Sequence, residues 1–593
     1  MTTYNHNTFR SPIAEQMWDM KYRLKDYEGN PIDLTIHDTW QRVADALAAV
    51  EDDPSYWAEK FYEALESFKF LPAGRINAGA GTGSRNVTLF NCFVMGTVHD
   101  SLAGIYDGLK EAVLTMQQGG GIGYDFSTLR PQGAEVKGVA SDSSGPLTFM
   151  DVWDASCRTI MSAGTRRGAM MATMRCDHPD VEKFIEAKRD PLRLRMFNMS
   201  VLITDEFMAA VKANADFDLK FDGKVYKTIK AKTLWDRIMS ATYHYAEPGV
   251  IFIDRINEMN NLNYCETIAC TNPCGEQPLP PYGACLLGSI NMVALLNDDY
   301  TLNVDMLIDV VTTAVRMMDN VVDASKFPLP EQEEEAKNKR RIGLGVTALA
   351  DALALGGIVY GSDEAVAQTD KWMKAIAVAA YQASINLAKE KGPFPLFDAD
   401  KFLATKNMQG MPTHIRAQIR EHGIRNALLT SIAPTGTISL YAGNVSSGIE
   451  PIFALSYERK VMQKDGSKIT EVVEDYGVTK WKKDNPNVPL PASFVTAQTL
   501  TPNAHIRMQA AAQRWVDSSI SKTVNVPEDI DFDDFKQVYW DAYNSGCKGC
   551  TTYRPNDVTG SVLTATEEGQ IEEGGACEIK YDEDTGQLMR SCE

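Results

Sequence analysis

The chain has 593 residues, a formal charge of −20, and 11 cysteines beside only 8 histidines. That length supports several domain-sized units and a large core, so disulfide staples are not needed for stability. The acidic balance argues against a nucleic-acid-binding surface, which needs a basic footprint.

The first 23 residues show no apolar core of a secretory signal. Residues 1–88 read as mainly helical, with amphipathic stretches at Asp38–Val50 (Trp40, Val43, Leu47) and Ser55–Phe70 (Trp57, Phe61, Leu65, Phe68). A Gly-rich turn, Asn77–Gly83, leads to a short strand in Val87–Met95 that carries Cys92. From 89 to 555, apolar strands alternate with helical stretches, the pattern of an α/β domain with parallel strands. Strands are expected at Met170–Met174, Arg195–Ile203, Val250–Ile253, Ala284–Ile290 and Ala427–Ile432. Helices are expected at Leu102–Gln118, Phe149–Ala163, Leu234–Ala246, Val304–Val322, Gly343–Leu355, Ala365–Lys391 and Asn503–Val516. The most apolar stretch, Ile342–Ile358, is short for a membrane span and interrupted by Asp351, so it reads as a buried helix. Val461–Thr470 carries the hairpin turn signal Lys464-Asp-Gly-Ser467.

Residues 556–593 differ. They hold ten acidic and two basic residues, −8 of the total, and read as a flexible acidic tail. Cys577 and Cys592 lie in it. A solvated tail has no packing use for a thiol, so both call for a chemical role. The absence of a membrane span and of a secretory signal points to the cytoplasm, where clustered thiols stay reduced and serve redox, catalytic or metal chemistry.

The sharpest motif is Thr271-Asn-Pro-Cys-Gly-Glu-Gln-Pro-Leu279. Its prolines and glycine forbid a helix and predict an extended loop. In extended backbone Asn272, Cys274 and Glu276 share one face: an amide, a thiol and a carboxylate, suited to polar binding, sulfur chemistry and proton transfer. The plainer alternative is a surface loop with a buried cysteine. Cys265, Cys270, Cys274 and Cys285 lack the paired spacing of metal ligands, so no metal site is assigned. Cys547-Lys-Gly-Cys550 has Cys-x-x-Cys spacing and reads either as a redox pair or as a turn with incidental thiols. Gln118–Gly123 follows a helix and precedes an apolar run, the reverse of a dinucleotide fingerprint; it reads as a helix end where backbone can approach a ligand. Pro434-Thr-Gly-Thr-Ile438 follows an apolar strand and suits a helix N-terminus holding phosphate, or simply a capped helix. Gly164–Gly168 holds adjacent arginines in a cationic loop.

Taken in order, these segments resemble the large catalytic subunit family of ribonucleotide reductases, and most closely its adenosylcobalamin-dependent class. The carriers are Leu71–Arg75, Asn91–Val94, Gly119–Gly123, Thr165–Arg167, Asn272–Glu276, Cys285, Pro434–Ile438, and Gly546–Gly549 with Tyr553-Arg554. The resemblance implies a ten-stranded α/β barrel of two five-stranded parallel halves, with the cysteine loop threading its centre. It implies that Cys274 is the thiyl-radical site, that Cys92 and Cys285 are the reducing dithiol, that Glu276 is the base on the 3′ hydroxyl, and that Asn272 bonds the substrate hydroxyls. Asn91, Gly120, Gly121, Pro273, Gly275, Pro434, Thr435, Gly436, Thr437 and Ile438 would hold a ribonucleoside di- or triphosphate. Cys577 and Cys592 would carry electrons from a thioredoxin-like reductant. Asp100, Arg166 and Arg167 would contact a deoxynucleotide effector in a homodimer. The iron-dependent class of the family passes its radical through adjacent tyrosines, where this chain reads Thr551-Thr-Tyr-Arg554, and the anaerobic class needs a glycyl-radical segment, whose context Gly574-Gly575 lacks; the resemblance then implies adenosylcobalamin as the radical source. An iron-dependent subunit and a catalytically dead nucleotide-binding barrel are the rival readings.

Overall fold

A computed structural model of the chain describes residues 9–83, 87–136, 142–160, 169–190, 192–462 and 468–555, and the tail segments 563–565, 571–573, 578–581 and 588–591. Arg166, Arg167, Cys577 and Cys592 lie outside the described residues. The architecture is mixed α/β, with an N-terminal helical part in front of the strands.

The first long helix, α1 (Ile36–Ala48), is started by a capping box in which Thr35 and Asp38 serve each other's backbone N–H groups. Its apolar face (Ile36, Trp40, Val43, Leu47) is buried. Helix α2 (Pro54–Leu65) has Pro at its start and an Asp53 cap on the Tyr56 N–H at 3.1 Å. Buried Glu51, between them, ties this part to the rest. It accepts from Arg316 at 2.8 Å, Asn320 at 2.8 Å and Lys391 at 2.9 Å. Burial pushes its carboxyl up, but those donors win and hold it at about 2.

Strands β1 (Cys92–Val94), β2 (Gly121–Asp125), β3 (Met170–Arg175), β4 (Phe197–Ile203) and β5 (Gly249–Phe252) run parallel, each paired with the next. They are buried almost throughout, as expected for parallel strands covered on both faces. Helix α3 (Leu102–Gln117) connects β1 to β2 and ends at Gly119, whose φ of +90° admits only glycine without strain.

Beyond β5 the direction reverses. Two short strands, β6 (Cys270–Thr271) and β7 (Pro278–Leu279), form an antiparallel hairpin. Strand β8 (Ala284–Cys285) pairs antiparallel with β1 and sets Cys285 opposite Cys92. The chain continues as β9 (Leu287–Asn291), which pairs parallel with β10 (Gly343–Thr347). Single parallel bridges extend this set from Leu344 to Thr430 and from Ile432 to Ile520. Strand β11 (Thr523–Asn525) then pairs parallel with β12 (Gly549–Tyr553), which lies antiparallel to β5.

The structure corrects one expected element. Ile342–Ile358 is not one buried helix but strand β10 followed by helix α4 (Leu349–Leu355). Ala348, at φ +61°, makes the break. Gly343 and Gly345 sit where a Cβ would collide with Gln277 and with the Ser431 carbonyl. Close sheet packing therefore overrides the helix-forming Leu and Ala content. Ala427–Ile432, expected as a strand, follows β10 through single bridges rather than a full ladder. The expected hairpin forms between Ser456–Met462 and Lys468–Glu474, and its turn signal lies outside the described residues. In the tail, 563–565 pairs with 571–573 and 578–581 with 588–591.

Candidate active site

The 272–277 segment is the tip of the β6–β7 hairpin. It turns back on itself rather than running extended, which corrects the alternating-face expectation. The Asn272 N–H donates to the Gln277 carbonyl at 3.1 Å, and the Gly275 N–H to the Asn272 carbonyl at 3.0 Å. The Asn272 Oδ1 accepts from the Gln277 N–H at 3.0 Å. Gly275 takes φ +81°, the conformation that requires glycine here. The turn still gathers the three groups: Asn272 and Glu276 are buried and Cys274 is half-buried.

Glycines let this finger press against the strands. A Cβ on Gly123 would strike the Thr271 carbonyl. A Cβ on Gly121 would stand 3.1 Å from Cys92 Sγ and 3.2 Å from the Pro273 ring. Cys92 and Cys285 face each other across β1 and β8, and the described cysteines are all free thiols. The Asn272 Nδ2 reaches Cys285 Sγ at 4.0 Å. Burial pushes the Cys285 thiol well up, and the neighbouring Cys92, Glu276 and Cys274 push it further. Thiyl, dithiol, amide and carboxylate candidates therefore meet in one place.

Cys274 also borders a cavity of about 320 Å³. The walls include Asn198, Gly249, Gln509, Lys548, Cys550 and Thr551. Cys92, Cys285, Asn272 and Glu276 do not line it. Cys274 thus neighbours the buried thiols and also lines the cavity.

The other expected residues divide. Asn91 opens β1; its N–H donates to the Cys285 carbonyl at 3.0 Å, and its buried Oδ1 has no hydrogen-bond partner. Gly120 is buried, and a Cβ there would crowd the Phe93 ring. Pro434 lines the cavity. Thr435, at φ +55°, has its Oγ1 engaged by Thr347, by Ser439 and by the Gly448 N–H at 2.7 Å. Helix α5 (Gly436–Tyr441) follows, with Gly436 and Thr437 exposed and Ile438 buried. Open space surrounds the Cβ positions of Gly275 and Gly436. Asp100 is paired with Arg130 at 2.8 Å beside the start of α3. The sequence reading missed Asn198, Gln509 and Lys522 on the cavity wall. The signal for Asn198 was slight: one exposed amide in a strand whose neighbours are buried.

Comparison with known proteins decides the family. The ribonucleotide reductase barrel-domain model matches residues 90–553, and the all-alpha-domain model matches residues 8–85. The chain belongs to the ribonucleotide reductase large-subunit family. It is 37% identical over 572 residues to a vitamin B12-dependent ribonucleoside-diphosphate reductase of Mycobacterium tuberculosis, covering 92% of this chain and 79% of that protein. It is 36% identical over 579 residues to the reductase of the same name from Thermoplasma acidophilum, covering 94% and 72%. A ribonucleoside-diphosphate reductase subunit alpha of Chlamydia muridarum is 29% identical over 596 residues, covering 87% of this chain and 56% of that protein. Within the reductase fold, the finger and its dithiol occupy the matched barrel region. Among the described residues no helix is long and apolar enough to cross a membrane.

Proposed function

We propose that this reductase converts ribonucleoside diphosphates to 2′-deoxyribonucleotides by a thiyl-radical route started by adenosylcobalamin. The observation that carries the reading is the placement of Cys274, which neighbours the Cys92–Cys285 pair and lines the cavity. Cys274 takes the 3′ hydrogen of the ribose. Glu276 accepts the 3′-hydroxyl proton, and Asn272 holds the hydroxyls. Cys92 and Cys285 give two electrons and two protons, the 2′ oxygen leaves as water, and the pair closes to a disulfide. Burial of these groups keeps water from a reactive intermediate. Asn91, Gly120, Gly121, Pro273 and Gly275 form the sugar cradle. Pro434, Thr435, Gly436, Thr437 and Ile438 receive the phosphates. The diphosphate preference follows the names of the relatives.

The cavity fits the cofactor's adenosyl group. Its walls are small at Gly249, Gly549 and Thr551, and the buried Gln509 Oε1 there has no hydrogen-bond partner. When bound, adenosylcobalamin supplies the hydrogen-abstracting radical. Gln509, Gly549 and Thr551 would hold its nucleoside beside Cys274.

The strand pairings support the ten-stranded barrel of two parallel halves. β1–β5 make one half. β9, β10, the segments around Thr430 and Ile520 with β11, and β12 make the other. Antiparallel contacts at β1/β8 and β5/β12 join them. Leu102 and Tyr106, exposed one turn apart on α3, support a homodimer through that helix, with the effector near Asp100, Arg166 and Arg167. Cys577 and Cys592 pass electrons from a cytoplasmic thioredoxin-like partner to the buried disulfide by thiol exchange.

The test is turnover of each nucleoside di- and triphosphate by the purified chain with adenosylcobalamin and a small dithiol. Deoxynucleotide from the diphosphates is expected, and none from Cys274→Ser. No product from the parent chain would overturn the proposal. Replacing Cys577 and Cys592 by Ser should spare turnover with the small dithiol and abolish it with thioredoxin; equal activity with both would reject the shuttle.

A further inference from the structure

The finger is held from outside by bonds to its main chain. Thr173 Oγ1 donates to the Ala269 carbonyl at 2.8 Å. Ser431 Oγ and the Ser519 N–H donate to the Glu276 carbonyl at 2.8 and 3.0 Å. These grip the finger at Ala269, before its tip, and at Glu276, two residues past Cys274. Asn198, on β4, holds the residue next to Cys274: its Nδ2 donates to the Pro273 carbonyl at 2.7 Å. That carbonyl and the Cys274 nitrogen belong to one planar peptide unit. Gripping the carbonyl therefore fixes the plane from which the Cys274 Cα and its thiol depart.

Asn198 is itself held. Lys188 Nζ donates to the Phe197 carbonyl at 2.7 Å, and Glu247 Oε1 accepts from the Met199 N–H at 2.9 Å. Lys188 and Glu247 pair with each other at 2.9 Å. One ion pair thus pins the backbone on both sides of Asn198. The residue is exposed between buried Phe197 and Met199, and it lines the same cavity as Cys274.

The geometry points to Asn198 as the positioning residue of Cys274, anchored by the Lys188–Glu247 ion pair. The inference rests on Cys274 being the reactive thiol. Asn198 sets the direction of the thiol without touching the ribonucleotide, so its loss reads in kcat rather than in KM.

The experiment compares Asn198→Ala, Asn198→Asp and Asn198→Gln in the full chain. The Asp variant keeps the shape but places an acceptor against the Pro273 carbonyl. Misplacing a reacting atom by about 1 Å costs on the order of 100-fold, so kcat is expected to fall about 10- to 100-fold in the Ala and Asp variants, with KM for the ribonucleotide within about threefold. The Gln variant keeps a donor and should recover part of the loss. Glu247→Gln should lower kcat in the same direction but less. Asn198 is exposed, so thermal unfolding should stay close to the parent's. A second readout needs neither cofactor nor substrate: the rate at which N-ethylmaleimide modifies Cys274, followed by peptide mass spectrometry, with exposed Cys265 as internal control. The Cys274 rate should change several-fold in the Ala and Asp variants while Cys265 stays constant. Unchanged Cys274 modification, unchanged kcat, or a KM that rises in step with the lost kcat would each overturn the inference. An inactive parent chain would instead refute the proposed function and leave the modification result standing.

Discussion

Two cysteine pairs lie in the interior, and they are built in opposite ways. Cys547 and Cys550 are close in sequence, with the spacing of a redox motif. Cys92 and Cys285 are far apart in sequence and meet only because β1 and β8 pair in register. Burial raises thiols in both pairs: Cys285 in one, Cys547 and Cys550 in the other. Cys547 is pushed to about 12, and Cys550 and Cys285 rise as well. Protonation state therefore does not separate them. Surroundings do: Asn272, Glu276 and Cys274 gather around Cys285. Cys547 instead has its carbonyl engaged by Arg255 at 2.6 Å, and Cys550 forms part of the cavity wall. Closeness along the chain suggests a redox pair; the proposed pair is instead the one gathered with Asn272, Cys274 and Glu276.

The largest expected effect breaks the pairs apart. Cys285→Ser and Cys92→Ser should each lower multiple turnover by more than about 1,000-fold, because residues that act as a unit fail together. Cys547→Ser and Cys550→Ala should lose less than about tenfold, a packing effect of the kind expected for small core changes. Steady-state deoxynucleotide formation measures both, and a Cys550→Ala loss as deep as that of Cys285→Ser would abolish the distinction.

A smaller effect concerns reactivity. A raised thiol pKa leaves little thiolate near neutral pH. Iodoacetamide at pH 8 should therefore modify Cys285 in the reduced, folded chain at least about tenfold more slowly than in the unfolded chain. Equal rates would show that the thiol is neither buried nor raised.

The smallest effect uses a third buried pair of like groups, this one without redox chemistry. Asp351, on α4, and Asp475, at the start of the Tyr476–Asp484 helix, lie close enough to act on each other's charge. Burial raises both carboxyls, Asp351 to about 6 and Asp475 further by the nearby Asp351 charge. The folded chain thus holds protons that the unfolded chain releases. The stabilisation is complete below the unfolded value of 3.8 and is lost as pH rises through about 6. Melting temperature should fall from pH 5 to pH 8 in the parent and fall less in Asp475→Asn; parallel curves would contradict the pairing.

How much of this was legible in sequence depended on what each residue was selected to do. Met170–Met174 and Val250–Ile253 read as strands because apolar runs in a doubly covered sheet need nothing else. Ile342–Ile358 misled because Gly343 and Gly345 were placed for close backbone approach, while their Leu and Ala neighbours speak for helix. Asn272, Cys274 and Glu276 stood out as a motif, but the turn that gathers them depends on the Asn272 side chain bonding back to Gln277. The Cys92–Cys285 contact had no local signal, since register between distant strands is a tertiary fact. Asn198 gave only a slight one, because a lone amide in an apolar strand shows its purpose only when its partner, the Pro273 carbonyl, is beside it.

The central claim is that Cys274 draws on Cys92 and Cys285. The most direct measurement is a single turnover by the pre-reduced chain, with adenosylcobalamin and a ribonucleoside diphosphate but no external reductant, followed by disulfide mapping with mass spectrometry. The structure predicts a new disulfide joining the Cys92 and Cys285 peptides, formed in step with deoxynucleotide and absent in Cys274→Ser. A disulfide between Cys547 and Cys550 instead, or product formed while Cys92 and Cys285 stay reduced, would contradict it.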